Sequence, residues 1–183
     1  MTAAVVLAAG GSARLGESKQ LVMVGGETLV DRAVRAAREA GCEPVVVVLG
    51  AEAERIRERC NLTGSVVVVN EAWEEGMASS IRVGVDAAGG ADGVLLMTCD
   101  QPAVTAVHLL AVMAAGEVTA SAYAGRRGVP AYFPASSFPA LLALRGDVGA
   151  RELLLEAATV DLVGGDLDVD TDAERDAAVK LFG

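Results

Sequence analysis

The chain has 183 residues, 52% hydrophobic but only 3% aromatic, and a formal net charge of −10. That length suits one domain, spanning 1–183, with a substantial core, and the Ala- and Val-rich composition suits short buried strands under Ala-rich helices. The acidic balance excludes nonspecific binding to nucleic acid or to an anionic membrane. No apolar run is long enough to span a bilayer, so a soluble cytoplasmic protein is expected. Cys42, Cys60 and Cys99 stand far apart without CxxC spacing, which argues for buried reduced thiols rather than a disulfide framework or zinc site.

Ala3–Ala9 reads as a buried strand, followed by a glycine-rich loop. Thr28–Ala40 carries apolar residues at helical spacing, and Gly41 is a natural stop. Pro44–Leu49 predicts a second strand, Glu52–Cys60 a charged helix with a solvated face, and Ser65–Asn70 a third strand. Ala78–Ala88 reads as a helix, Asp92–Thr98 as a fourth strand, and Thr105–Ala115 as a helix capped by Thr105. Val118–Ala124 and Val129–Phe133, joined by a turn at Gly125–Gly128, predict an antiparallel pair. Ser136–Leu144 and Val148–Ala157 look helical, Thr159–Val163 is a late strand, and Asp172–Leu181 is a closing helix with Asp172 as its cap.

Strands alternating with helices predict a three-layer α/β, Rossmann-like fold, its sheet mostly parallel with an antiparallel element in the second half. Ligands of such sheets bind at the carboxyl ends of the strands. The glycine loop, Asn70 and Asp100 each follow a strand, so all three are expected on one edge.

The loop reads Leu7-Ala8-Ala9-Gly10-Gly11-Ser12-Ala13-Arg14-Leu15-Gly16-Glu17-Ser18-Lys19. Glycines let backbone N–H groups approach an anion, and Arg14 and Lys19 add positive charge in an acidic chain, so a polyphosphate is the simplest ligand. The pattern G-x-x-x-x-G-K-S/T fails because Glu17 follows Gly16, and G-x-G-x-x-G fails because the glycines fall at 10, 11 and 16. A ligand-free Gly-rich turn is the plain alternative.

The run Leu7-Ala8-Ala9-Gly10-x-Ser12-x-Arg14-x-Gly16-x-x-Lys19-x-Leu21 resembles the signature of the MobA-like nucleotidyltransferases. Agreement continues in order through Asn70-x-x-Trp73-x-x-Gly76-Met77-x-x-Ser80-Ile81-x-x-Gly84, Asp100-Gln101-Pro102 and Gly128-x-Pro130-x-x-Phe133. It ends with Gly146-Asp147-x-Gly149-Ala150-Arg151 and Asp168-Val169-Asp170-Thr171. The first motif marks a wide superfamily; the combination is similar to the molybdenum cofactor cytidylyltransferases. The resemblance implies attack of an acceptor phosphate on the α-phosphorus of a nucleoside triphosphate, with loss of pyrophosphate. Such transfer needs positioning and charge stabilisation more than covalent help.

On this resemblance Arg14, Lys19 and Asp100 are catalytic. Leu7, Ala8, Ala9, Gly10, Gly11, Ser12, Lys19, Asn70, Gly76, Met77, Ser79 and Ser80 bind the nucleotide. Asp100 and Asp168 hold Mg²⁺, with Asp170 the alternative to Asp168. Ala9 tilts the nucleotide to CTP over GTP, because a glycine there goes with guanine enzymes. Gln101, Pro102, Gly128, Pro130, Asp147 and Arg151 face the acceptor, molybdopterin or molybdenum cofactor, which a molybdoenzyme or its chaperone would receive. Histidine often stands where this chain has Val129, which weakens the acceptor side of the match.

His108 reads as structural and Trp73 as packing under the Asn70–Gly76 loop rather than stacking on a ligand. Three other readings compete: a GTP-using or other phosphorylated-acceptor transferase, a noncatalytic cofactor-binding chaperone, and an oxidoreductase. The last lacks a dinucleotide fingerprint, and a chaperone has no use for both Lys19 and Asp100.

Overall fold

The protein is described from a computed structural model covering residues 1–12 and 15–183. Seven strands form one sheet in the order β5-β4-β1-β6-β8-β7-β9: β1 (Thr2–Ala8), β4 (Val45–Leu49), β5 (Val66–Val69), β6 (Gly93–Thr98), β7 (Thr119–Tyr123), β8 (Arg126–Pro134) and β9 (Ala158–Asp161). β1 pairs in parallel with β4 and β6, β4 with β5, and β7 with β9. β8 alone runs antiparallel, between β6 and β7. A small antiparallel ribbon, β2 (Met23–Val24) and β3 (Glu27–Thr28), follows the glycine loop; the sequence patterning did not foresee it.

The alternating side chains of β1 split the core in two. Ala4, Val6 and Ala8 face the layer containing α1 (Leu29–Glu39), α2 (Ala53–Arg59) and α4 (Ala106–Met113). Ala3, Val5 and Leu7 face α3 (Met77–Ala87) and α5 (Phe138–Ala143). α3 lies unusually close to the sheet, because a Cβ on Gly84 would stand 2.3 Å from Val5 Cγ1 and 3.0 Å from Val48 Cγ2. The three-layer α/β expectation holds. No helix among the described residues is long and apolar enough to cross a membrane.

Three helices start on threonine caps. Thr28, Thr105 and Thr171 accept from the backbone N–H of Asp31, His108 and Glu174. The cap of α6 (Asp172–Phe182) is therefore Thr171 rather than Asp172. Glu174 Oε2 also accepts from the Asp170 N–H and Thr171 hydroxyl, a reciprocal box that leaves Asp172 in the first turn. The helix expected over residues 148–157 is a 3-10 segment at Arg151–Leu154. Leu154 at its end, with Ala150 and Ala157 on the irregular backbone to either side, reaches the core, and Gly146 and Gly149 ahead of it hold positive φ.

Candidate active site

β1 ends at Ala8, and the chain turns over the carboxyl edge of the sheet through Ala9, Gly10, Gly11 and Ser12. Ser12 sits in the left-handed region at φ 51. Arg14 lies outside the described residues. The Lys19 N–H donates to Ser12 Oγ at 3.0 Å, closing the loop on itself. Gln20 lies beneath it, 1% exposed, and bonds to both limbs. Gln20 was absent from the candidate residues: a polar side chain at an open motif position gives no periodic signal.

Asp100 follows β6. Its carbonyl accepts from the Val169 N–H at 2.9 Å, which docks the late acidic segment beside it. Val169 is fully buried with Val24, Leu29 and Ala178, so Asp168 and Asp170 flank Asp100. Lys19 Nζ donates to Asp100 Oδ2 at 2.6 Å and to Asp170 Oδ1 at 2.9 Å. Burial disfavours the Lys19 charge, but Asp100's charge and the bonds to Asp100 and Asp170 outweigh it and raise its pKa. Burial, then the charge of Asp100, push the Asp168 carboxyl up to about 6, against partial relief from Arg126 at 3.8 Å.

The opposite wall begins at Asn70, which is 3% exposed. Its amide donates to Ser79 Oγ at 2.8 Å and Ser80 Oγ at 2.9 Å, and its carbonyl oxygen accepts from the Ala72 N–H at 3.1 Å. The Ser79 hydroxyl donates toward the Ala72 and Gly76 carbonyls. Asn70 and Ser79 thus shape the loop from behind, and Ser80 faces the cavity. At the start of α3, Met77 N–H donates to Asp147 Oδ1 at 3.2 Å and Ala78 N–H to the Gly146 carbonyl at 3.1 Å. Gly76, at φ 108, has no room for a side chain, since a Cβ would meet Gly146 O at 2.7 Å.

Two adjoining cavities result. The first, about 430 Å³, is lined by Leu7, Ala8, Ala9 and Gly10 on one side and by Trp73, Gly76 and Ser80 on the other. The second, about 380 Å³, includes Gln101, Tyr123, Arg126, Gly128, Arg151 and Asp168. Lys19, Met77, Thr98, Asp100 and Asp147 line both. Trp73 combines the two roles weighed for it: it packs against Gly50 and Gly11 and also faces the first cavity.

Pro102 and Pro130 line neither cavity. The Pro102 carbonyl accepts from Arg32 Nε at 3.1 Å. The Pro130 carbonyl accepts from Ser121 Oγ at 2.6 Å, and His108 Nε2 lies 2.7 Å from that hydroxyl. His108 is therefore an internal brace, buried at 9% exposure. Gly128 admits the Tyr123 hydroxyl, which a Cβ would meet at 2.3 Å.

Residues 4–160 match the MobA-like NTP transferase domain. Nicotine blue oxidoreductase of Paenarthrobacter nicotinovorans is 38% identical over 172 residues, 87% of this chain and 84% of that protein. A probable molybdenum cofactor guanylyltransferase of Opitutus terrae is 37% identical over 106 residues, 57% of this chain and 50% of that one. Among solved structures, Rv0371c from Mycobacterium tuberculosis H37Rv superposes with a TM-score of 0.86 at 34% identity, covering 98% of this chain and 97% of that one. A structure of Rv0371c in complex with manganese gives 0.82 at 31% identity, covering 98% of each chain.

Proposed function

Because this chain belongs to the MobA-like NTP transferase family, we propose that it is a nucleotidyltransferase that moves CMP from CTP to molybdopterin or molybdenum cofactor. The observation that carries the reading is the junction of the two cavities, since Lys19 and Asp100 line both. In this reading the first cavity takes the nucleotide and the second the acceptor. An acceptor phosphate oxygen forms a bond to the α-phosphorus, the bond to the β-phosphate oxygen breaks, and pyrophosphate leaves with the electron pair. Lys19, a mobile point charge, follows the charge onto the leaving group, and the loop amides hold the phosphates in line. Arg14 is assigned the same task from the sequence.

A divalent cation suits the residues present. Burial, and after it the charge of Asp100, raises the pKa of Asp168 to about 6, so a cation between the two carboxylates relieves both the desolvation and the repulsion. Their oxygens are hard donors. Among the described residues no three acidic, His or Cys side chains cluster tightly enough to cage a metal, so triphosphate oxygens would complete the shell. When bound, such an ion neutralises charge on the triphosphate. Mg²⁺ is the proposed ion; the manganese complex of Rv0371c supports a divalent site.

Ala9 lines the first cavity, and its methyl group favours the smaller pyrimidine. One methyl discriminates modestly, roughly 10–200-fold. The guanylyltransferase relative favours GTP as the second reading. The Paenarthrobacter relative, a nicotine blue oxidoreductase, supports a third, the oxidoreductase reading. Pyrophosphate release measured with each of the four nucleoside triphosphates, with and without molybdopterin, tests the proposal. CTP- and molybdopterin-dependent release is expected. Release with GTP but not CTP moves the assignment to the second reading, and none with any nucleotide, alongside a redox change of nicotine blue, moves it to the third.

A further inference from the structure

The Gln20 side chain has all of its hydrogen-bonding capacity directed at the glycine-rich loop. Nε2 donates to the Ala8 carbonyl at 2.9 Å and the Gly10 carbonyl at 2.8 Å. Oε1 accepts from the Ser18 hydroxyl at 2.8 Å and the Ser12 hydroxyl at 3.2 Å. An amide offers two donors and two acceptor sites, so the set is complete. Among the described residues Gln20, at 1% exposure, is also the only polar one of the largest fully buried side chains, where an amide persists only if it is satisfied.

The direction of these bonds matters. Across a trans peptide the C=O and N–H point opposite ways. The described cis bonds are Glu43–Pro44 and Val129–Pro130, so the Gly10–Gly11 bond is trans. Drawing the Gly10 carbonyl down onto Gln20 turns the Gly11 N–H away from it. With its carbonyls drawn inward, the loop offers an anion donors rather than acceptors. Ser12, held at φ 51, is tied through its hydroxyl to both Gln20 Oε1 and the Lys19 N–H. A strained residue held by surrounding bonds is how a site keeps one geometry before its ligand arrives.

We propose that Gln20 is a positioning residue that presets the Gly10–Ser12 backbone for a polyphosphate, acting through the loop rather than by touching the reacting atoms. The ligand class rests on the function proposed above; the presetting of the loop does not. Gln20→Met keeps the volume and removes all four bonds. Gln20→Glu keeps the acceptors and removes both donors.

Two measurements, made on variants that retain a cooperative thermal melt, test it. The first is hydrogen–deuterium exchange, without nucleotide, of the Lys19 amide, whose N–H donates to Ser12 Oγ and so reports whether the loop is held closed. Exchange should quicken about tenfold or more in both variants, the equivalent of one lost decade of protection. The second is calorimetric binding of CTP and GTP with Mn²⁺, where dissociation constants should rise about tenfold or more. Unchanged exchange overturns the proposal. So does unchanged nucleotide affinity in variants whose melting temperature falls, because Gln20 is then only filler. If wild-type protein binds neither nucleotide, the functional reading fails, while the exchange result still decides whether Gln20 presets the loop.

Discussion

Lys19 Nζ lies 2.6 Å from Asp100 Oδ2, although 81 positions separate the two residues. The pair is largely covered, at 19% and 12% side-chain exposure, and it stands where the two cavities meet. Asp100→Asn keeps the shape and removes the charge. Lys19 retains Asp170, so the protein should stay folded. Metal-dependent transfer should fall about 10²-fold or more, as for loss of one preorganised electrostatic partner. Circular dichroism and a turnover assay check both halves, and surviving activity removes Asp100 from the metal site.

The same contact predicts a competition. The Lys19 ammonium bridges Asp100 and Asp170, so a divalent ion binding Asp100 must displace or share it. Lys19→Met should therefore bind Mn²⁺ more tightly without nucleotide, by about tenfold or 1.4 kcal/mol, while losing transfer activity. Mn²⁺ titration followed by electron paramagnetic resonance reads this directly. Unchanged or weaker metal affinity shows that the ammonium and the metal do not share the position.

The sheet was legible because β1, β4 and β6 are continuous apolar runs buried on both faces, the mark of a covered parallel sheet. The edge holding the loop and Asp100 followed from strand ends alone. The short β2–β3 ribbon escaped because two-residue strands carry no period. Residues 148–157 misled because Leu154 and Ala157 have helical spacing, yet they reach the core from a loop docked onto the start of α3 through Gly146 and Asp147. In the site, charged residues at strand ends were readable. Gln20 and the inward-facing bonds of Asn70 and Ser79 were not, since a polar residue turned inward looks in sequence like one turned outward.

Gly84 gives a stability prediction. Alanine improves helix propensity by about 1 kcal/mol. Its Cβ would nonetheless lie 2.3 Å from Val5 Cγ1 in a fully buried layer. Overpacking of this kind costs about 1–3 kcal/mol, so Gly84→Ala should be net destabilised by up to about 2 kcal/mol in urea unfolding. A more stable variant means that α3 can move off the sheet freely.

His108 is the chain's single histidine. Burial holds its pKa below the ordinary 6.5, so the unfolded chain binds its proton first. Its stabilising contribution is full above pH 6.5 and is lost as pH falls through and below that value. Urea midpoints should drop from pH 7.5 to pH 5 in the wild type, and by less in His108→Gln. Equal drops in both proteins assign the acid sensitivity to carboxylates instead.

The central claim is that a nucleoside triphosphate occupies the first cavity with its phosphates on the Gly10–Ser12 backbone and Lys19, facing an acceptor in the second. The most direct measurement is a crystal structure of the protein with Mn²⁺ and a non-hydrolysable CTP analogue. The account predicts the base between Ala9 and Ser80, the triphosphate along the loop, and the metal on Asp100. A nucleotide seated among Arg126, Gly128 and Arg151, or a metal held away from Asp100, would contradict it.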